Sequence, residues 1–195
     1  MLKLPDKNTT WNYQFGLLPA SLSPIIKELN NFEEEWTRDT SRQDKLATHK
    51  DTKMFQLRFM SYNWEIGEGN NSYDINKFKS PESNTTIETI YSHLEKIYDG
   101  KVIRSEIIQM NKNSTIKSHV DGGVMLQVAR RVHVPLITNP KVIFNVFGEE
   151  KYLEVGNWYE INNIIPHSVV NDSDYDRVHA IIDIMPNKYL GAKNA

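Results

Sequence analysis

The 195-residue chain contains no cysteine. It can therefore form no disulfide and no thiolate metal site, so any metal must be held by His, Asp, Glu or water. A cysteine-free composition suits a reducing compartment, and a cytoplasmic location is expected. Long apolar runs are also missing. Nothing approaches the roughly 18 consecutive apolar residues of a membrane span, and the opening MLKLPDKNTT has no apolar signal core. Nor is there an excess of charge of either sign: 23 Lys and Arg stand against 25 Asp and Glu, for a net charge of -2. That balance gives no electrostatic case for a nucleic acid or an anionic membrane as partner. No internal repeat or low-complexity tract occurs, and the length suits one domain, 1–195, with a single core.

The two halves of the chain are patterned differently. Ser23-Pro24 supplies an N-cap and a proline at the first helical position, and Ile25, Ile26, Leu29, Phe32 and Trp36 then recur at helical spacing. Glu33, Glu34 and Glu35 near the end of this helix read as solvated surface. A second helix is signalled by the capping box Thr85-x-x-Glu88 and by Ile87, Ile90, Tyr91, Leu94 and Ile97, and it stops at Asp99-Gly100. Between the helices, Met54 to Met60 alternates like a half-buried strand, and residues 65–84, rich in Gly, Asn, Ser and Pro, read as a loop. From residue 101 the pattern becomes short strand-like runs: VIRSEIIQM, TIKSHV, RRVHVPLI, KVIFNVF, NWYEI, HSVV and RVHAIIDIM, parted by turns such as Asp121-Gly122-Gly123 and Phe147-Gly148. Many short strands with turns at this spacing predict an antiparallel double-sheet jelly roll. The expected class is α+β, mainly β: a double-stranded β-helix, cupin-like, over residues 101–187, with residues 1–100 as a helical and β buttress and possible lid.

His119, Asp121 and His167 carry the chemistry. Alternating strand side chains place His119 and Asp121 on one face and Val120 on the other. A sandwich brings a later strand opposite them, where His167 follows Pro166. Two neutral nitrogens and one carboxylate suit a borderline divalent metal such as non-heme Fe(II), and leave three positions open for a chelating cosubstrate and O2. The competing reading is three unrelated polar residues, one of them a turn Asp beside Gly-Gly. Arginines bear on the choice, because a fork-shaped cation binds a distal carboxylate bidentately and stays charged when desolvated. Arg177 on one strand, or Arg131 with His133 on another, meets that need. Structural alternatives are a surface pairing of Arg177 with Asp174 or Asp176, and a core role for His133.

The segments HVDGG, RRVHVPLITNP, GNWYEINNIIPHSVVN and DRVHAIIDIMP resemble the aspartyl/asparaginyl β-hydroxylase family of Fe(II)/2-oxoglutarate oxygenases, which includes free-proline hydroxylases. The resemblance is specific over residues 103–186 and loose before them. It implies iron held by His119, Asp121 and His167, 2-oxoglutarate held by Arg177 with help from Arg131 and His133, and O2 as oxidant. The implied reaction hydroxylates an unactivated C–H bond of an amino acid, or of an amino-acid residue in a peptide or protein, with release of succinate and CO2. Some membrane-linked members lack the carboxylate ligand. Asp121 brings this chain closer to the small-molecule branch.

Other polar residues carry weaker signals. Gln56 and Arg58 share a strand face, and Arg58 suits an acidic group of the substrate, or a structural ion pair. Residues 64–84 read equally as a lid and as a plain connection. Trp158, Asn162 and Asn163 precede His167 and read as a structural turn or as donors that orient the ligand loop. His179 shares the face of Arg177; His49 and His93 fall outside the barrel pattern. Two other functions compete with the hydroxylase: a non-catalytic cupin-like protein that binds metal or small acids as a sensor, and a cupin-like metal enzyme of another reaction type.

Overall fold

A computed structural model describes residues 12–29, 36, 50–63, 72–77 and 84–190. In chain order its elements are β1 (Tyr13–Leu17), α1 (Ser23–Leu29), β2 (Thr52–Asn63), β3 (Ser72–Lys77), α2 (Asn84–Tyr98), β4 (Gly100–Met110), β5 (Ser114–His119), α3 (Val124–Val128), β6 (Arg130–Ile137), β7 (Val142–Val146), β8 (Glu149–Tyr152), β9 (Asn157–Ile161), β10 (His167–Asn171) and β11 (Arg177–Pro186). The strands form two antiparallel sheets. The larger runs β1-β9-β6-β11-β4-β2-β3 and the smaller β5-β10-β7-β8. This is the expected jelly-roll class, and all seven runs read as strands after residue 101 appear as strands.

The first half of the chain contributes strands to the same sheet as the second. β1, β2 and β3 all belong to the larger sheet, and β2 lies directly beside β4. Residues 72–77, expected within a loop, are a strand paired with β2. Of the other expectations in the first half, Phe32, Glu33, Glu34, Glu35, His49 and most of the 64–84 segment lie outside the described residues. No described helix is long and apolar enough to cross a membrane.

Helices cover the outer face of the larger sheet. Ile25 and Leu29 of α1 and Ile87, Ile90, Tyr91 and Leu94 of α2 are buried against Val132, Val134, Val178, Ala180 and Ile182. The period of 2 in β11 then decides what faces inward: with Val178, Ala180 and Ile182 on the helices, Arg177, His179, Ile181 and Asp183 point between the sheets. The whole strand is buried up to its last residue. Polar residues inside an otherwise apolar, doubly covered strand therefore mark the interior of the barrel.

Two details fix how α2 enters this sheet. Asp99, not Gly100, takes the left-handed conformation that ends the helix, with φ 45°. Gly100 is needed for another reason: a Cβ there would collide with the Met185 carbonyl on β11. Arg58 is also displaced from its expected face. A register shift between Gln56 and Arg58 interrupts the β2–β4 ladder. As a result Arg58 lies over the Tyr91 ring at 4.4 Å and donates to Glu88 at 2.9 Å, both on α2. Gln56 lies between Phe55 and Leu57, which join the helix-side core, and pairs across to Glu106, so it faces inward alone.

Candidate metal and cosubstrate site

His119 ends β5 and His167 begins β10, and the antiparallel register sets them directly opposite each other. Their ring centroids are 4.3 Å apart. Asp121 lies two residues beyond the strand end, where its backbone N–H donates to the Asn163 carbonyl at 3.0 Å. That turn corrects the expectation for Val120: it lies past the strand end and is 49% exposed instead of pointing into the other layer. Asn163 thus acts through its backbone as an anchor for the carboxylate, and its side chain ties the same loop to the Leu126 carbonyl of α3 at 3.3 Å. Trp158 packs edge-on to Tyr98 in the helix-side core, which is the structural role read for it.

The donor atoms of His119, Asp121 and His167 all lie within 4.8 Å of one another. His119 Nε2 is 3.8 Å from Asp121 Oδ1, and His167 Nε2 is 3.8 Å from Asp121 Oδ2. The tautomers fit a metal. Nδ1 of His119 lies 2.8 Å from the Lys117 carbonyl and Nδ1 of His167 lies 3.0 Å from the Ile165 carbonyl. A carbonyl only accepts, so each Nδ1 carries the hydrogen and each Nε2 lone pair is left for a metal. Burial also lowers the pKa of His167, the Asp121 charge opposing this only in part, so the ring stays neutral as ligation requires.

Behind these three residues is a cavity that opens to solvent. Arg131, His133, Phe144, Arg177 and Ile181 are among its walls. The two inward arginines are placed very differently. Arg177 is 1% exposed. Its Nη2 meets Nδ1 of His179 at 2.6 Å, and its guanidinium lies 5.0 Å from the Phe144 ring. No carboxylate among the described residues pairs with it, its Nε has no hydrogen-bond partner, and burial pulls its pKa down to about 9. Asp176, once an alternative partner, instead accepts from Gln109 and from the Lys112 backbone. His179 cannot compensate the charge, because burial, then Arg177 and His133, hold its pKa well below the ordinary histidine value.

Arg131 is engaged on three nitrogens. Nε and Nη2 each donate to Asp183 at 2.8 Å, and Nη1 donates to Asp121 Oδ2 at 2.6 Å. Arg131, expected to help hold the cosubstrate, thus has three nitrogens occupied by Asp183 and by Asp121 of the candidate metal cluster. His133 has Phe144 edge-on at 5.3 Å and His179 at 6.0 Å, within the cavity wall. Arg58 points away from the cavity toward α2, and His93 lies half-buried on that helix. Asp183, which holds Arg131, carries only a weak signal in the sequence. Its signal was a single acid in the apolar run HAIIDIM.

A sequence model of the aspartyl/asparaginyl beta-hydroxylase family matches residues 21–186. No curated protein matches the sequence. Among solved structures, the fold is similar to that of an oxidoreductase of the 2OG-Fe(II) oxygenase family from Burkholderia pseudomallei, at 13% identity and a TM-score of 0.51, over 95% of this chain and 100% of that one. It is also similar to a viral collagen prolyl hydroxylase from Paramecium Bursaria Chlorella virus-1, in complex with 2OG, at 9% identity and a TM-score of 0.57, over 90% and 96% of the two chains. At such identities the likeness extends to the fold alone. The family match covers most of the chain and includes both histidines, Asp121 and Arg177, and the chain belongs to the aspartyl/asparaginyl β-hydroxylase family.

Proposed function

We propose that this protein is an Fe(II)- and 2-oxoglutarate-dependent hydroxylase acting on an amino acid, or on an amino-acid residue of a peptide or protein. The observation that carries this reading is the pairing, in one cavity, of a three-residue metal site with a buried arginine that no described carboxylate neutralises. A buried lone cation is costly, and a site that keeps one is built for an anion. A dicarboxylate that chelates metal through its 2-oxo-acid end needs such a cation for its other end.

His119, Asp121 and His167 would hold the iron. When bound, iron and 2-oxoglutarate supply the O2-dependent oxidation that converts a C–H bond to an alcohol and releases succinate and CO2. The chain contributes position. Arg177 fixes the distal carboxylate, Phe144 and His179 stack at 5.5 Å beside it, and Ile181 and His133 line the wall. Ile108, Ile116, Phe144, Val169 and Ile181 on the same walls limit water around the reacting centre. Gln56, on the inner sheet face, is the substrate-side candidate of the first half. A reducing, cytoplasmic setting agrees with the absence of cysteine, and no nucleic-acid or membrane partner is required.

The test is an anaerobic titration with Fe(II) and 2-oxoglutarate, read as a visible metal-to-cosubstrate charge-transfer band. The band is expected in the wild type and is lost in Asp121→Ala, which folds normally but does not turn over. A folded, iron-loaded wild type with no band would overturn the reading in favour of a metal-binding sensor.

A further inference from the structure

We propose that Arg131 and Asp183 form a clamp that holds Asp121 to one-oxygen coordination, and so keep a third metal position open. This rests on the iron and 2-oxoglutarate reading above and adds a positioning function to it.

The clamp begins with register. Arg131 on β6 pairs directly with Asp183 on β11, both on the inner face. Their side chains are buried, at 6% and 1% exposure, and meet in a two-point contact with both distances 2.8 Å. Two parallel hydrogen bonds fix the plane of a guanidinium as well as its position. The nitrogen left over, Nη1, is thereby aimed at Asp121 Oδ2 at 2.6 Å. Burial works against the charge of Arg131, but Asp183 and then Asp121 outweigh it and hold the pKa above the ordinary arginine value. Arg104, 3.9 Å from Asp183, supports the acid from the neighbouring strand β4.

The consequence lies in counting positions. Two histidines and a carboxylate bound through one oxygen use three of six octahedral positions; a carboxylate bound through both uses four. A chelating cosubstrate needs two positions and O2 needs one, so two-oxygen binding by Asp121 leaves the site one short. A charge-assisted hydrogen bond on Oδ2 makes that oxygen a weaker ligand and fixes the rotation of the carboxylate, leaving Oδ1 as the oxygen toward the metal. Arg131 is thus a positioning residue.

The test uses Mn(II) as a probe, with the full-length protein free of cosubstrate. Exchangeable waters on the metal are counted from the broadening of the Mn(II) paramagnetic resonance signal in 17O-enriched water. Wild type is expected to show three. Arg131→Met combined with Asp183→Asn removes both buried charges together and so avoids orphaning one of them; it is expected to show two. Its 2-oxoglutarate affinity with Mn(II) bound should fall at least about tenfold, while its Mn(II) affinity changes by no more than about tenfold. A merely structural role would not change the water count. Three waters with unchanged 2-oxoglutarate affinity would overturn the proposal. Should the double variant not fold, Asp183→Asn alone decides: it loosens the fork and should weaken 2-oxoglutarate binding several-fold, and unchanged binding overturns the clamp. Failure of the underlying reading looks different. In that case wild type would not hold Mn(II), or would hold it equally well in His119→Ala.

Discussion

Replacing Arg177 with methionine should stabilise the protein free of metal and cosubstrate, and destroy cosubstrate binding. The guanidinium is 1% exposed, and burial pulls its pKa down from the ordinary arginine value to about 9. At about 1.36 kcal/mol per pH unit this is about 5 kcal/mol of cost for keeping the charge. The Phe144 face at 5.0 Å returns about 1–2 kcal/mol. The charge-assisted hydrogen bond to His179 at 2.6 Å returns about 2 kcal/mol. A net penalty of about 1 kcal/mol remains, and methionine fills much of the same volume without it. Thermal unfolding of Arg177→Met should therefore shift upward by about 2–4 °C for a chain of this size. With Fe(II) and 2-oxoglutarate added anaerobically, the order should reverse. Loss of the charged partner costs about 2–5 kcal/mol, or roughly 30-fold to several-thousand-fold in cosubstrate affinity. Calorimetric melts of both proteins, with and without the ligands, measure both effects. A variant that melts several degrees lower and still binds 2-oxoglutarate tightly would refute the assignment of this cation to an anion site.

The buried histidines predict an acid-side weakness. His179 is held well below its ordinary pKa by burial, then by Arg177 and His133, and His167 is lowered chiefly by burial. Between their folded values and the ordinary 6.5 the unfolded chain binds more protons, so stability is full above about pH 6.5 and falls as the pH drops through that window. The slope is up to about 2.7 kcal/mol per pH unit for two groups. Denaturant melts of metal-free protein between pH 5 and 7.5 should show the decline, and His179→Gln should make it shallower; an identical slope would remove His179 from this account. Arg58→Met should cost about 1–2 kcal/mol of stability, by breaking the contacts with Glu88 and Tyr91, and leave kcat/KM unchanged. A selective rise in KM would return Arg58 to the substrate site.

Seven strands of the second half were legible because each buries apolar residues and so alternates or runs apolar between turn residues. The strands that escaped, β1, β3 and β8, read YQFGL, SYDINK and EEKY. All three lie at sheet edges. An edge strand needs less apolar surface and is kept polar or short, which removes the periodic signal. The bulge after Gln56 was equally invisible. One extra residue in a ladder reverses the face of every later side chain on the strand, and nothing in MFQLRFM marks it.

The candidate metal cluster could be read because His119 and Asp121 are two residues apart and their chemistry is local. The two arginines could not be told apart, because their difference lies in what stands across the ladder. Arg131 faces Asp183, 52 residues away in sequence, and the pair satisfies both charges before any ligand arrives. Arg177 faces Met110, and its one polar contact among the described residues, His179, is held neutral. Identical side chains on neighbouring strands of one wall thus acquire opposite tasks. The first is fixed against Asp121 of the candidate metal cluster, and the second keeps a buried charge at the cavity wall.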